Sequence, residues 1–149
     1  IVELHPYLSF NGCAKEAIEL YATALNGRIE EIITYAEQQP EILKTLPSDW
    51  VNKIMHISMR AESIVIMASD EILGIASPSA TTELNYLASP ISLSINCTSV
   101  EELERTFNIL STDGNVTMIP QDTFWGAKFA MLHDKFGIKW MLNYDYPKT

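Results

Sequence analysis

The chain has 149 residues, 47% of them hydrophobic and 19% charged, with a formal net charge of −9 and a pI near 4.7. That balance specifies a globular chain with a real core and excludes disorder. A surplus of carboxylates argues against nucleic acid and anionic membrane surfaces, which need clustered Lys and Arg.

No apolar run is long enough to cross a membrane, and the N-terminal IVELHPYLSF reads as a strand, not as a signal peptide. A cytoplasmic chain is expected. Cys13 and Cys97 have no metal-type spacing and are read as two reduced, partly buried thiols.

The first strand ends in Leu8-Ser9-Phe10-Asn11. The helix that follows places Ala14, Ile18, Tyr21 and Leu25 on one face, at spacings of four, three and four. Asn26-Gly27 stops it, with Gly expected in the left-handed C-cap conformation. Strands are expected at 28–35, 53–60 and 63–69, the last two joined by the turn Glu62-Ser63. Residues 71–90 are rich in Ser, Pro and Ala and are read as a linker.

Leu93-Ser94-Ile95-Asn96 then repeats the first strand end. The next helix carries Val100, Leu103, Phe107 and Leu110 on its apolar stripe. Ser99 and Glu102 make a capping box, each satisfying an orphan backbone N–H. Asp113-Gly114 ends the helix. At a constant offset of 85, Glu16 maps to Glu101, Ile18 to Leu103 and Leu25 to Leu110, with a two-residue insertion before Gly114. Strands follow at 115–120, 128–133 and 138–143, with the hairpin loop Asp134-Lys135-Phe136-Gly137. The chain is therefore an internal repeat of βαβββ. Module one covers about 1–70, the linker about 71–90 and module two about 91–146 of a single α+β domain.

Strand alternation sorts the faces. Leu8 and Phe10 pack on the first helix, which sends His5, Tyr7 and Ser9 to the opposite face. His56, Ser58 and Arg60 share one face of their strand. Trp140, Leu142, Ile138, Met131 and Phe129 are read as packing under the second helix. Two curved faces of mixed polar and aromatic character are expected to enclose a ligand cavity. His56 reads as a hydrogen-bonded strand histidine or as a catalytic group. Arg60 beside Glu62 reads as a solvated pair, and Glu101, Glu102 and Glu104 as a solvated helix face. Phe124-Trp125-Gly126 reads either as a turn whose Trp plugs the core or as an aromatic cavity wall, with Lys128 nearby to meet an anionic group.

Paired βαβββ modules resemble the vicinal oxygen chelate superfamily, which includes glyoxalase I, bleomycin-resistance proteins and extradiol dioxygenases. HPYLSFNGCAKEAIELYATAL, IMHISM…SIVIMASD and MIPQDTFWGAKFAMLHDKFGIKWMLN are similar to its PhnB-like branch, over almost the whole chain. Metalloenzymes of the superfamily take His, Gln or Glu ligands from the first and last strands of each module. Here those positions resemble His5, its repeat partner Pro90, Met67 and Met141, with Glu62 and Asp70 at strand ends. One suitable ligand in four implies no cofactor and no metal site. The resemblance, with the unpaired edges of four-stranded sheets, points to a homodimer, and the face assignments above give a small-molecule site of His5, Tyr7, His56, Trp125 and Lys128. The alternative is a metal-dependent lyase or dioxygenase of the glyoxalase type, using His5 with His56 and an acidic residue not identified from the sequence.

Overall fold

The computed structural model describes residues 2–38, 48–71 and 89–148. Most of the expected linker, residues 72–88, lies outside them. The chain divides into two compact units, Ile1–Ala80 and Thr81–Thr149.

In the first unit β1 (Tyr7–Phe10) leads into α1 (Ala14–Ala24) and β2 (Arg28–Thr34). A short helix, α2 (Tyr35–Gln38), and a 3-10 turn at Ser48–Trp50 precede β3 (Ile54–Ala61) and β4 (Ile64–Asp70). The second unit holds β5 (Leu93–Asn96), α3 (Val100–Leu110), β6 (Asn115–Asp122), β7 (Ala127–His133) and β8 (Lys139–Asp145). The two sheets have the same order, β1-β4-β3-β2 and β5-β8-β7-β6. In each, the first strand runs parallel to the last and the other pairings are antiparallel. Two βαβββ modules of α+β type are thus present. Tyr35 opens α2 and does not end β2, and α2 and the 3-10 turn were not expected from the sequence.

Ala14, Ala17, Ile18, Tyr21 and Ala24 of α1 are buried, with Phe10, Ile57, Met59, Ile66 and Ala68 also in the core. The corresponding core of unit two contains Leu103, Phe107, Leu110, Ala130, Leu132, Trp140 and Leu142. Leu132 pairs with Trp140 and Ala130 with Leu142, so these positions form the face beneath α3. Met131 and Phe129 alternate with them and face away from α3, which corrects their expected place. The cause is the β7 sequence itself. Its run Phe-Ala-Met-Leu is apolar on both faces and sets no phase; only pairing with β8 does.

The repeat is also not one offset. The repeated motif sets Leu8 on Leu93, 85 apart. The helices begin at Ala14 and Val100, one residue further along, and their buried rings are Tyr21 and Phe107. Three residues join strand to helix in both modules, 11–13 and 97–99.

Both helices end differently from expectation. Asn26 and Asp113 take the positive φ, 55° and 57°, not the glycines that follow. Gly27 and Gly114 are needed for close approach. A Cβ on Gly27 would lie 2.8 Å from the Arg60 carbonyl, and one on Gly114 would lie 2.4 Å from the His133 carbonyl. The repeat therefore conserves a two-residue device: a left-handed polar residue, then a residue with no side chain against the third strand.

The helix starts differ most. Ser99 accepts from the Glu102 N–H at 3.0 Å, but the Glu102 carboxylate reaches Thr98 N–H at 2.8 Å and not Ser99. At α1 the N-cap Cys13 makes no side-chain cap bond. Asp70, buried at the end of β4, replaces it: Oδ1 accepts from Gly12 and Ala14 N–H at 3.0 and 2.9 Å, and Oδ2 from Ile54 N–H at 2.9 Å.

Candidate functional site

On the sheet face away from α1, Tyr7 stands opposite Met67, and Met67 opposite Ser58. His56, two residues before Ser58, shares that face. The Tyr7 hydroxyl lies 3.2 Å from His56 Nδ1, with the rings tilted at 5.8 Å. His56 Nε2 lies 3.7 Å from the Glu31 carboxylate on the neighbouring strand β2. With the Nε2 proton turned toward Glu31, Nδ1 accepts from the Tyr7 hydroxyl; with His56 protonated, Nδ1 donates to it. The His56 side chain is 24% exposed, so this chain of groups opens to solvent on one side.

His5 precedes β1, and its ring contacts Glu3 at 3.4 Å. Arg60 does not pair with Glu62. It binds Glu30 at 3.0 Å, which Arg28 also reaches at 3.1 Å, because the antiparallel register puts Arg28 opposite Arg60. Glu62 instead occupies the β3–β4 turn with a φ of 48°.

In the second unit Trp125 sits in the β6–β7 turn and is 56% exposed, so it does not plug the core. It meets Phe124 edge-on at 5.0 Å and Phe129 at 6.0 Å. With Gly126, Asp145, Tyr146, Pro147 and Lys148 it lines an open cavity of about 670 Å³. The Tyr146 hydroxyl donates to the Asp122 carboxylate at the rim, and that bond first, then desolvation, raises its pKa. Lys128 points to the other face, where it pairs with Glu104 of α3 at 3.2 Å. The structure therefore brings Tyr7 to His56, and Trp125 to Phe129, but it does not bring Lys128 to Trp125. Glu31 and the cavity lining of Asp145, Tyr146, Pro147 and Lys148 were missed from sequence. Glu31 was findable only by strand pairing, since its partner is 25 residues away.

The donors do not fit the divalent ions used by metalloenzymes of this architecture. His5 is engaged by Glu3, both Asp70 oxygens are committed to backbone N–H groups, and Met67 and Met141 offer thioethers. Among the described residues, no three of His, Cys, Asp or Glu gather within either unit. Cys13 and Cys97 form no disulfide, and burial first, then Glu102, pushes the Cys97 thiol up to about 11. Among the described residues no helix is long and apolar enough to cross a membrane.

Comparison with known proteins gives the same architecture. Protein PA1353 from Pseudomonas aeruginosa is 35% identical, with 97% of this chain and 98% of that one covered and a TM-score of 0.79. Protein YjdN of Escherichia coli (strain K12) is 33% identical over 146 residues, 94% of this chain and 93% of that protein. The PhnB protein from Bacillus cereus shares the fold at 24% identity, covering 96% and 99% of the two chains with a TM-score of 0.74. So does a glyoxylase/bleomycin resistance protein/dioxygenase domain from Frankia sp. EAN1pec, at 11% identity, 100% and 96% coverage and a TM-score of 0.64. The profile of the family described as 3-demethylubiquinone-9 3-methyltransferase matches residues 2–143. The chain belongs to that family, and it shares its fold with glyoxalase/bleomycin-resistance/dioxygenase proteins.

Proposed function

We propose that this PhnB-like chain is a cytoplasmic homodimer that binds a small molecule on the open faces of its sheets, without the divalent metal of its enzyme relatives. His5, Tyr7 and His56 serve on the first sheet and Trp125 on the second. Lys128, held by Glu104 on the far face, takes no direct part.

One observation carries the reading: the Tyr7–His56 contact of 3.2 Å on a sheet face that α1 leaves bare. A hydroxyl and an imidazole in contact, one side open to solvent, offer a donor and an acceptor to a bound molecule. The Glu31 carboxylate lies behind His56, 3.7 Å from Nε2, and holds the ring in place between the two strands. Exposed Trp125 and Phe124 supply apolar area for an aromatic or alkyl body. For the dimer, β2 and β6 are sheet edges, and Ile32, Val116, Met118 and Ile119 on them are exposed.

The test is a thermal-shift screen of planar aromatic, phenolic and small anionic compounds, with hits confirmed by Trp fluorescence. A compound present at about a hundred times its Kd adds roughly 2.7 kcal/mol to stability. That shift is expected to vanish in His56→Ala and Tyr7→Phe and to persist in Arg60→Ala. Shifts that survive both substitutions, or a screen without any hit, speak against the site. Sedimentation velocity at micromolar concentration is expected to give twice the mass of 16.8 kDa.

A further inference from the structure

The open face of the second sheet carries soft donors that small-molecule binding leaves unused. Met118 on β6 pairs with Met131 on β7, and Met131 pairs with Met141 on β8. A bulge on either side of Met118 interrupts the ladder but keeps this pair in register. Three thioethers therefore stand in one lateral row across three adjacent strands. Neighbouring strands lie about 4.8 Å apart, so the outer two Cα atoms are roughly 10 Å apart with the third between them. Methionine has three rotatable bonds, which lets the outer sulfurs lean toward the middle one.

His133 follows Met131 by two residues on β7 and so lies on the same face, roughly 6.5 Å along the strand. Both of its ring nitrogens are buried, and neither has a hydrogen-bond partner. A buried imidazole without a partner is costly, and a ligand would relieve that cost. Its neighbours do not serve it. Cross-strand from it stand Asn115 on β6 and Lys139 on β8, and the Lys139 ammonium is turned to the Ser89 carbonyl. The adjacent row offers only sulfur.

Thioethers with an imidazole nitrogen are a soft, neutral donor set. It suits Cu(I), and it lacks the oxygen ligands that Mg²⁺, Ca²⁺ or Mn²⁺ require. We propose that Met118, Met131, Met141 and His133 form a binding site for Cu(I). An apolar methionine wall would account for the thioethers alone; it leaves the bare imidazole among them unexplained. The site lies wholly within unit two and does not rest on the small-molecule reading.

The chain's six methionines make the test specific: Met55, Met59 and Met67 lie in unit one and the other three form the row. The intact protein, labelled with 13C at the methionine methyls, is titrated with Ag(I) as a redox-stable stand-in for Cu(I). Anaerobic Cu(I) affinity is then measured by competition with bicinchoninate. Cys13 and Cys97 are competing soft ligands, so the titration is repeated in Cys13→Ser/Cys97→Ala. If that variant does not fold, the wild-type titration is read beyond the two equivalents that two thiols absorb.

One further equivalent is expected to move the methyl signals of Met118, Met131 and Met141 together and to leave the other three in place. Zn²⁺ and Mn²⁺ are expected to move none. His133→Ala and Met118→Leu, the latter on an exposed edge strand, are each expected to weaken Cu(I) binding at least tenfold. The proposal is overturned by unmoved row signals once the thiols are filled, by all six moving in parallel, or by unchanged affinity in His133→Ala.

Discussion

Asp70 accepts three backbone N–H bonds and joins the α1 entry, the start of β3 and the end of β4. Asp70→Ala removes all three acceptors at once. The Ala14 and Ile54 bonds are buried, and each orphaned N–H costs about 2 kcal/mol. The Gly12 N–H is only partly buried and regains water, but the helix loses its cap and a favourable anion at its N-terminus, about 1 kcal/mol. The sum is about 5 kcal/mol, as large as the whole stability of a marginal domain. Asp70→Asn keeps one oxygen for Gly12 and Ala14 but turns an amide toward the Ile54 N–H, and is expected to cost about 2 kcal/mol. Urea unfolding followed by far-UV circular dichroism and Trp fluorescence measures both. Trp50, buried beside Tyr35 at 6.4 Å, reports on unit one, and buried Trp140 on unit two. A loss under 1 kcal/mol in Asp70→Ala, or equal losses in the two variants, would refute the accounting.

The remaining predictions concern the helix ends and the buried thiol. Gly114→Ala is expected to destabilise by about 3 kcal/mol, since its Cβ meets a rigid backbone carbonyl at 2.4 Å. Gly27→Ala is expected to cost less, because its nearest contact is the mobile end of Met59; melting curves of the pair give the order. Ser99→Ala is expected to cost about 1 kcal/mol and Glu102→Gln less, both read by urea midpoint. Cys97 has its pKa raised in the folded chain to about 11 from 9.0. The folded thiol thus holds its proton more tightly than the unfolded one. Its contribution to stability is full below pH 9 and is lost as pH rises through 11. Urea midpoints measured from pH 8 to 11 are expected to fall more steeply in the wild type than in Cys97→Ala.

The repeat was legible because strand and helix periodicities switch in the same order twice, and turn residues fall between them. The face of β1 was legible too: alternation sends Tyr7 and Ser9 away from the buried Phe10. Alternation failed on β7, where apolar residues occupy both faces, so Met131 and Phe129 were assigned to the wrong side. It also said nothing of partners across strands. Arg60 was matched to Glu62, its neighbour in sequence, while the register gave it Glu30. The same limit hid the role of Asp70, whose three partners lie 16, 56 and 58 residues away. For the candidate site, face was readable for Tyr7 and His56, and their contact was not. Lys128 lies three residues after Trp125, yet alternation along β7 puts it on the opposite face.

The two helix caps differ in how far the chain must travel to close them. Ser99 and Glu102 are three residues apart, so α3 carries its own start within one turn. The cap of α1 is 56 residues downstream of Ala14 and exists only after β4 has docked beside β1. Closing the longer loop costs roughly 2.6 kcal/mol more in chain entropy. In refolding from denaturant, the second helix is therefore set before the first, against the order of the chain. Ser99→Ala slows folding, with a φ-value near one, whereas Asp70→Asn chiefly speeds unfolding, with a φ-value near zero. Duplication has left two modules of the same strand order with different nuclei: one folds from a local signal, and the other closes by a long-range clasp.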